Sequence, residues 1–235
     1  MSAEARRAEL ERNLAEVRAR IDRACAAAGR ERGSVGLTVV TKNFGASDVR
    51  LLADLGLTDV GENRHQEAEA KAAECADLGL RWHYIGGLQS NKAAAVARYA
   101  DVVESVDRAK LVGRLAAGAT ERGAEVEVLL QVSLDPPGAD HRAGADPADL
   151  PALAETVEAA EGLRLAGLMA VAPLGEDPAE AFARLAAVRA DLLRDHPGAD
   201  RLSAGMSGDL EQAVAAGATH VRVGSAILGS RPPAR

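Results

Sequence analysis

Cysteine is scarce in this 235-residue chain: there are two, Cys25 and Cys75. They lie far apart in helix-like stretches without ligand spacing, which excludes a disulfide framework and a cysteine metal site and predicts two small residues of a reduced core. No apolar run approaches membrane length, and the N-terminal stretch MSAEARRAELERNLAEVRARIDRACAAAG is too charged for a signal peptide. There is no basic excess either. The net charge of −7 offers no face for nucleic acid or an anionic membrane. No linker or low-complexity stretch divides the chain, so residues 1–235 are expected to form one domain. Together these absences predict a soluble, cytoplasmic protein with neither nucleic acid nor membrane as partner.

What is present is a regular rhythm. Residues 3–28 predict an amphipathic helix with Leu10, Leu14, Val17 and Ile21 on one stripe and Gly29 as its stop. Eight β-rich runs come after it, at 34–42, 59–63, 81–86, 101–107, 125–133, 164–172, 201–207 and 219–228. Seven helix-like segments separate them, at about 46–55, 64–77, 89–98, 108–122, 147–160, 178–194 and 208–216. Strands alternating with helices imply βαβ crossovers and a parallel sheet, and eight units suit a closed (β/α)8 barrel. The leading helix is expected to take the place of the missing eighth one. The Pro-, Gly- and Asp-rich stretch LDPPGADHRAGADP (134–147) after strand five is expected to be mobile.

In such a barrel the C-terminal ends of the strands and the loops after them line the active face, and phosphate sites often form after strands seven and eight. Here those loops read SAGMSGD (203–209) and RVGS (222–225). Ser207-Gly208 before a helix suits an anion, and Gly224-Ser225 offers close backbone approach and a hydroxyl. An ordinary N-cap at Ser207 and an ordinary loop glycine at Gly224 explain the same letters.

Lysine is the second scarcity, and it is informative: four residues against 24 arginines. Lys71 and Lys110 lie in helix-like segments and read as solvated; Lys92 opens the helix after strand three. Lys42 ends the first strand after the apolar LTVV, where loss of water favours a neutral, nucleophilic amine. An amine facing a phosphate cradle describes a seat for pyridoxal 5′-phosphate (PLP), which needs both.

The segments TKNFG, VGENRHQEAEAK, WHYIGGLQSNK, VESVDR, GLMAVAP and LSAGMSGDLEQAVAAGATHVRVGSAILGSR occur in that order from about residue 35 to 231. This series resembles the PLP homeostasis proteins, single-domain relatives of the alanine racemase N-terminal barrel. The resemblance implies that Lys42 holds PLP as an internal Schiff base. It implies that Ser207, Gly224 and Ser225 cradle the phosphate with Met206 and Ser203 adjacent. It also implies that Arg222 faces the pyridine nitrogen and that Asn63, rather than Glu62, is a pocket residue. Two positions depart from the family pattern: Gly87 stands where a histidine is common, and the stretch after strand five lacks a lysine.

A cation at the pyridine nitrogen disfavours its protonation and makes the ring a poor electron sink. Tyr84 and Tyr99 are the available phenols, and neither is expected at a strand C-terminus. The expected function is a PLP carrier or buffer in PLP homeostasis without robust turnover, acting as a monomer with PLP-dependent apoenzymes as recipients. The alternatives are a racemase-like PLP enzyme, or a phosphosugar enzyme using Lys42 as a carbonyl-binding amine. His65, His83, His141, His196 and His220 show no ligand spacing, so no metal is expected. His83 is read as a satisfied strand residue, His220 as the start of strand eight and Trp82 as core.

Overall fold

Eight parallel strands close on themselves in sequence order, each hydrogen-bonded to the next and β8 to β1. The computed structural model describes residues 2–135 and 144–229. The strands are β1 (Gly36–Val40), β2 (Asp59–Glu62), β3 (Arg81–Tyr84), β4 (Val102–Val106), β5 (Val126–Gln131), β6 (Leu163–Met169), β7 (Arg201–Ser203) and β8 (His220–Val223). Helices α1 (Ala3–Ala27), α2 (Ala46–Asp54), α3 (His65–Glu74), α4 (Ala93–Ala97), α5 (Ala109–Arg122), α6 (Leu150–Glu158), α7 (Pro178–Asp195), α8 (Leu210–Ala215) and α9 (Ser225–Leu228) surround them. The fold is a (β/α)8 barrel, as the alternating pattern predicts.

Strands covered on both faces need apolar residues on both, and β4 is buried along its whole length. Outward residues pack under the helices, while Val102, Leu129, Ala166 and Met169 fill the barrel interior. At the N-terminal end of the barrel, Glu127 accepts ion pairs from Arg81, Arg164 and Arg201 and closes the floor. Cys25 and Cys75 are buried free thiols, and Trp82 is core. No described helix is long and apolar enough to cross a membrane.

Helix α1 buries Leu10, Leu14, Val17 and Ile21 and packs against α2, α8 and α9, so it fills the eighth position of the helical ring. Each of those side chains contributes about 1.5–3 kcal/mol by its burial.

Three local expectations are corrected. The strand expected at 219–228 ends at Val223, and Ser225–Leu228 forms a helical turn instead. Helix α8 starts at Leu210 with Asp209 as its N-cap, so Ser207 is a loop residue and not a cap. Lys71 is no solvated residue: it is 7% exposed and ion-paired with Glu62, 1% exposed. Of the stretch 134–147, residues 136–143, His141 included, lie outside the described residues. The described flanks are held, because Leu134 and Ala145 are buried and Ala145 bridges to Val132.

Candidate functional site

Lys42 lies two residues beyond β1, in a turn rather than inside the strand where its sequence context places it. Thr41 still extends the ladder, its N–H donating to Gly61 O at 3.0 Å. Asn43 then adopts a left-handed backbone, φ 70°, a conformation that asparagine tolerates better than most residues. The turn leaves Lys42 half-buried at the C-terminal mouth of the barrel.

A buried cluster fixes this turn from behind. Lys71 Nζ donates to Thr41 O at 3.0 Å and to Glu62 Oε1 at 2.5 Å, and Thr41 Oγ1 donates to the same carboxylate oxygen at 2.6 Å. The second lysine of this region is thus a strut for the backbone that carries the first. Lys92 stands at the N-cap position of α4 without a side-chain cap bond, and Lys110 is exposed on α5.

The loops after β7 and β8 meet opposite Lys42. Asp209 Oδ1 accepts from Met206 N at 2.6 Å and closes the first loop into a tight turn. Ser225 Oγ lies 3.4 Å from Ser207 Oγ, so the two loops present their hydroxyls side by side. Helix α1 latches both from outside. Arg20 donates to Ser207 O at 3.2 Å and pairs with Glu211, Asn13 donates to Ile227 O at 2.9 Å, and Arg6 to Leu228 O at 3.1 Å.

Lys42, Met206, Ser207, Arg222, Gly224 and Ser225 all border one cavity of about 490 Å³, with Val40, Phe44 and Ile85 as apolar walls. That volume falls within the range of small-molecule sites. Arg222 forms the deep end and is fully buried: Nη1 donates to Ser203 O at 2.8 Å and Ser203 Oγ at 2.7 Å, and Nη2 to Ala170 O at 2.9 Å. These bonds use three of the five N–H groups of a guanidinium and leave two for an occupant. Burial pushes the pKa of Arg222 down, opposed by the charges of Glu104 and Asp209.

Two residues expected beside a ligand stand elsewhere. Ser203 is buried beneath the cavity and bonded to Arg222 and Glu104, because its side chain points into the barrel below the mouth. Asn63 does not border the cavity; its Oδ1 is buried without a hydrogen-bond partner among the described residues. A Cβ on Gly86 would come within 2.2 Å of Asn63 O, so a glycine is required where the ends of β2 and β3 cross.

Tyr84, expected within strand three, is the last residue of β3. It faces a separate cleft of about 430 Å³ with His65, Gly87 and Lys92, and a Cβ on Gly87 would meet no atom within 4 Å. Burial raises the phenol pKa of both Tyr84 and Tyr99. His220 starts β8, and His83 is bonded at both ring nitrogens. Among the described residues no cluster of histidine, cysteine and carboxylates could hold a metal ion.

Sequence reasoning alone misses Glu104, whereas His83, within β3 and bonded at both ring nitrogens, is a satisfied strand residue as expected. Burial would raise the pKa of Glu104, yet the hydrogen bond and charge of His83, the charge of Arg222 and the Ser203 hydroxyl outweigh it and hold it at about 2. His83 is shifted up: burial opposes, and the bonds to Asp59 and Glu104 prevail. A signal does exist, since a single carboxylate inside the apolar run VVESV needs a buried partner.

Comparison with known proteins shows the family and the fold. Residues 8–232 match the model of the alanine racemase N-terminal domain family. A pyridoxal phosphate homeostasis protein of Pseudomonas aeruginosa is 47% identical, with 93% of this chain and 94% of that protein covered. One from Mycobacterium bovis is 44% identical, covering 96% and 94%. The structure of PipY from Synechococcus elongatus with PLP bound superposes with a TM-score of 0.81 at 39% identity, covering 94% of this chain and all of that one. The chain therefore belongs to the pyridoxal phosphate homeostasis proteins, within the alanine racemase N-terminal domain family.

Proposed function

We propose that this cavity binds PLP as a Schiff base on Lys42 and that the protein carries or buffers PLP in the cytoplasm without robust turnover. The observation that carries the reading is the convergence, on one cavity, of an amine, a pair of hydroxyl-bearing loops and a buried cation with two N–H groups to spare. PLP supplies an electrophilic aldehyde and a conjugated ring. The protein supplies the nucleophile at Lys42, backbone and hydroxyl donors for the phosphate at Ser207, Gly208, Gly224 and Ser225, and a cation at Arg222 for the ring-nitrogen end. The names of the relatives and the PLP in the Synechococcus structure support the same reading.

The residues also argue against turnover. Arg222 disfavours a protonated pyridine and so weakens the ring as an electron sink. Neither tyrosine borders the cavity, and burial holds both phenols protonated. The protein acts as a monomer that passes PLP to PLP-dependent apoenzymes. A surface for such recipients is supported by an adjoining cavity of about 670 Å³ that shares Met206 and Gly208 and is rimmed by Val171, Leu174 and Met206, the exposed large hydrophobic residues of the described chain.

Titration of the purified protein with PLP tests the reading. The wild type should develop a Schiff-base absorption band, and folded Lys42→Ala should not. An unchanged band in that variant, or sustained amino-acid racemisation by the wild type, would overturn it.

A further inference from the structure

A file of polar side chains crosses the barrel interior beneath the cavity. It starts near the floor, where Asp59 Oδ1 lies 2.9 Å from His83 Nε2. His83 Nδ1 lies 2.7 Å from Glu104 Oε1, and Ser203 Oγ donates to Glu104 Oε2 at 2.6 Å. Ser203 Oγ in turn accepts from Arg222 Nη1, which stands 3.7 Å from Glu104 Oε2. Strands β2, β3, β4, β7 and β8 each contribute one member. All but Asp59 are buried.

The surroundings favour one set of charges. Both ring nitrogens of His83 face carboxylates that are held low, which shifts His83 up and favours the imidazolium between two ionised carboxylates. Glu104 therefore lies between two cations, His83 and Arg222. The other charged or titratable groups around the file are Arg81, Arg201 and His220 towards the floor and Asp209 beside Arg222. His220 is pushed down to about 4 by burial and by Arg201, so it is neutral near pH 7.

Stability alone does not account for such a file. A buried ion-pair network is often no more stable than apolar residues of the same volume, and the neighbours Val102, Leu129 and Met169 show that this interior accommodates them. The file ends, however, on the one side chain that forms the deep end of the cavity. Ser203 fixes Nη1 through both its carbonyl and its hydroxyl, and that hydroxyl is oriented by Glu104, leaving Arg222 one way to point its remaining N–H groups.

We propose that Glu104 is the positioning residue for Arg222: through Ser203 it aims the guanidinium at the cavity, and by its charge it sets how readily PLP bound there takes up a proton. The inference rests on the PLP reading above. With Glu104 ionised, the positive potential of Arg222 at the ring is partly offset. Removing that negative charge makes the site more positive and disfavours any protonated form of the ligand.

The experiment is a pH titration of the PLP absorption band in the wild type and in Glu104→Gln, Ser203→Ala and Val102→Ala. A wild type without any PLP-dependent band refutes the PLP reading itself and is read first. Given that band, Glu104→Gln should move its protonation midpoint down by about one pH unit, a tenfold change in proton affinity. Ser203→Ala keeps the charge but loses the tether, and should release PLP roughly tenfold faster with a smaller midpoint shift. Val102→Ala makes a cavity in the same interior and should lower thermal stability with no midpoint shift. Equal midpoints in Glu104→Gln and the wild type overturn the proposal. If Glu104→Gln fails to fold, Ser203→Ala decides: unchanged PLP release overturns it.

Discussion

Replacing Lys71 by methionine keeps the length and most of the volume of the side chain but removes its charge, and the loss falls on Glu62 and Thr41. Glu62 is 1% exposed and accepts from two donors, Lys71 Nζ and Thr41 Oγ1; its Oε2 has no partner among the described residues. Without Lys71 the carboxylate keeps one hydroxyl donor, and Thr41 O loses its bond at 3.0 Å. Breaking a buried pair by removing one partner costs about 3–5 kcal/mol, because an uncompensated charge remains. For a chain of this size that is a fall in melting temperature of about 6–20 °C. The damage should also reach the site, since Thr41 precedes Lys42. The assay is thermal unfolding beside the rate of Lys42 modification by pyridoxal, with Lys110→Met as an exposed control expected within about 0.5 kcal/mol of the wild type. Adding Glu62→Gln to Lys71→Met should recover a large part of the stability, since no buried charge is then left. A Lys71→Met protein within about 1 kcal/mol of the wild type would refute this account of the strut.

Other consequences concern the loops and the interior file. Arg20→Ala removes the latch on Ser207 O and the pair with Glu211, so inorganic phosphate and PLP should both bind several-fold more weakly by calorimetry while the barrel stays folded; equal affinities would contradict the latch. A Cβ on Gly224 would meet Val40 O at 3.1 Å and Val40 Cβ at 3.3 Å, so Gly224→Val must displace the loop and weaken PLP far more than phosphate-free pyridoxal. Ser225→Ala loses one hydroxyl while backbone donors remain and should cost on the order of 1 kcal/mol in PLP affinity. Asp59 and Glu104 are both held at about 2, below their unfolded carboxylate values near 4. Their contribution is full above about pH 5 and is lost as pH falls towards 2, whereas that of His83, shifted up, is full below its usual value near 6.5 and lost as pH climbs through the raised one. Acid unfolding of Glu104→Gln should therefore be shallower than that of the wild type; identical acid limbs would contradict the assignment.

The barrel is legible in the sequence because its signals are local and periodic: apolar stripes such as Leu10, Leu14, Val17 and Ile21, and short β-rich runs at βαβ spacing. Lys42, Ser207, Gly224 and Ser225 come from the same periodicity, since strand ends and the loops after them share one face, while Met206 and Arg222 come from the family resemblance; all six border one cavity. The inside of the barrel is not legible in that way. Whether Ser203 touches a ligand or holds Arg222 depends on how deep its side chain sits, and a loop sequence carries no depth. Lys71 looks like any lysine of a polar helix, because its partner Glu62 lies on a different element and their meeting is purely tertiary. The end of β8 is misplaced by sequence pattern because SAIL satisfies strand propensity, while Ser225 and Gly224 start a helical turn there.

The central claim is that Lys42, and no other lysine, faces the ligand. Treating the PLP-loaded protein with borohydride and mapping the peptides tests it most directly. The account predicts the reduced pyridoxyl group on Lys42 at close to one per chain, with Lys71, Lys92 and Lys110 unlabelled. Label found mainly on any of those three would contradict it.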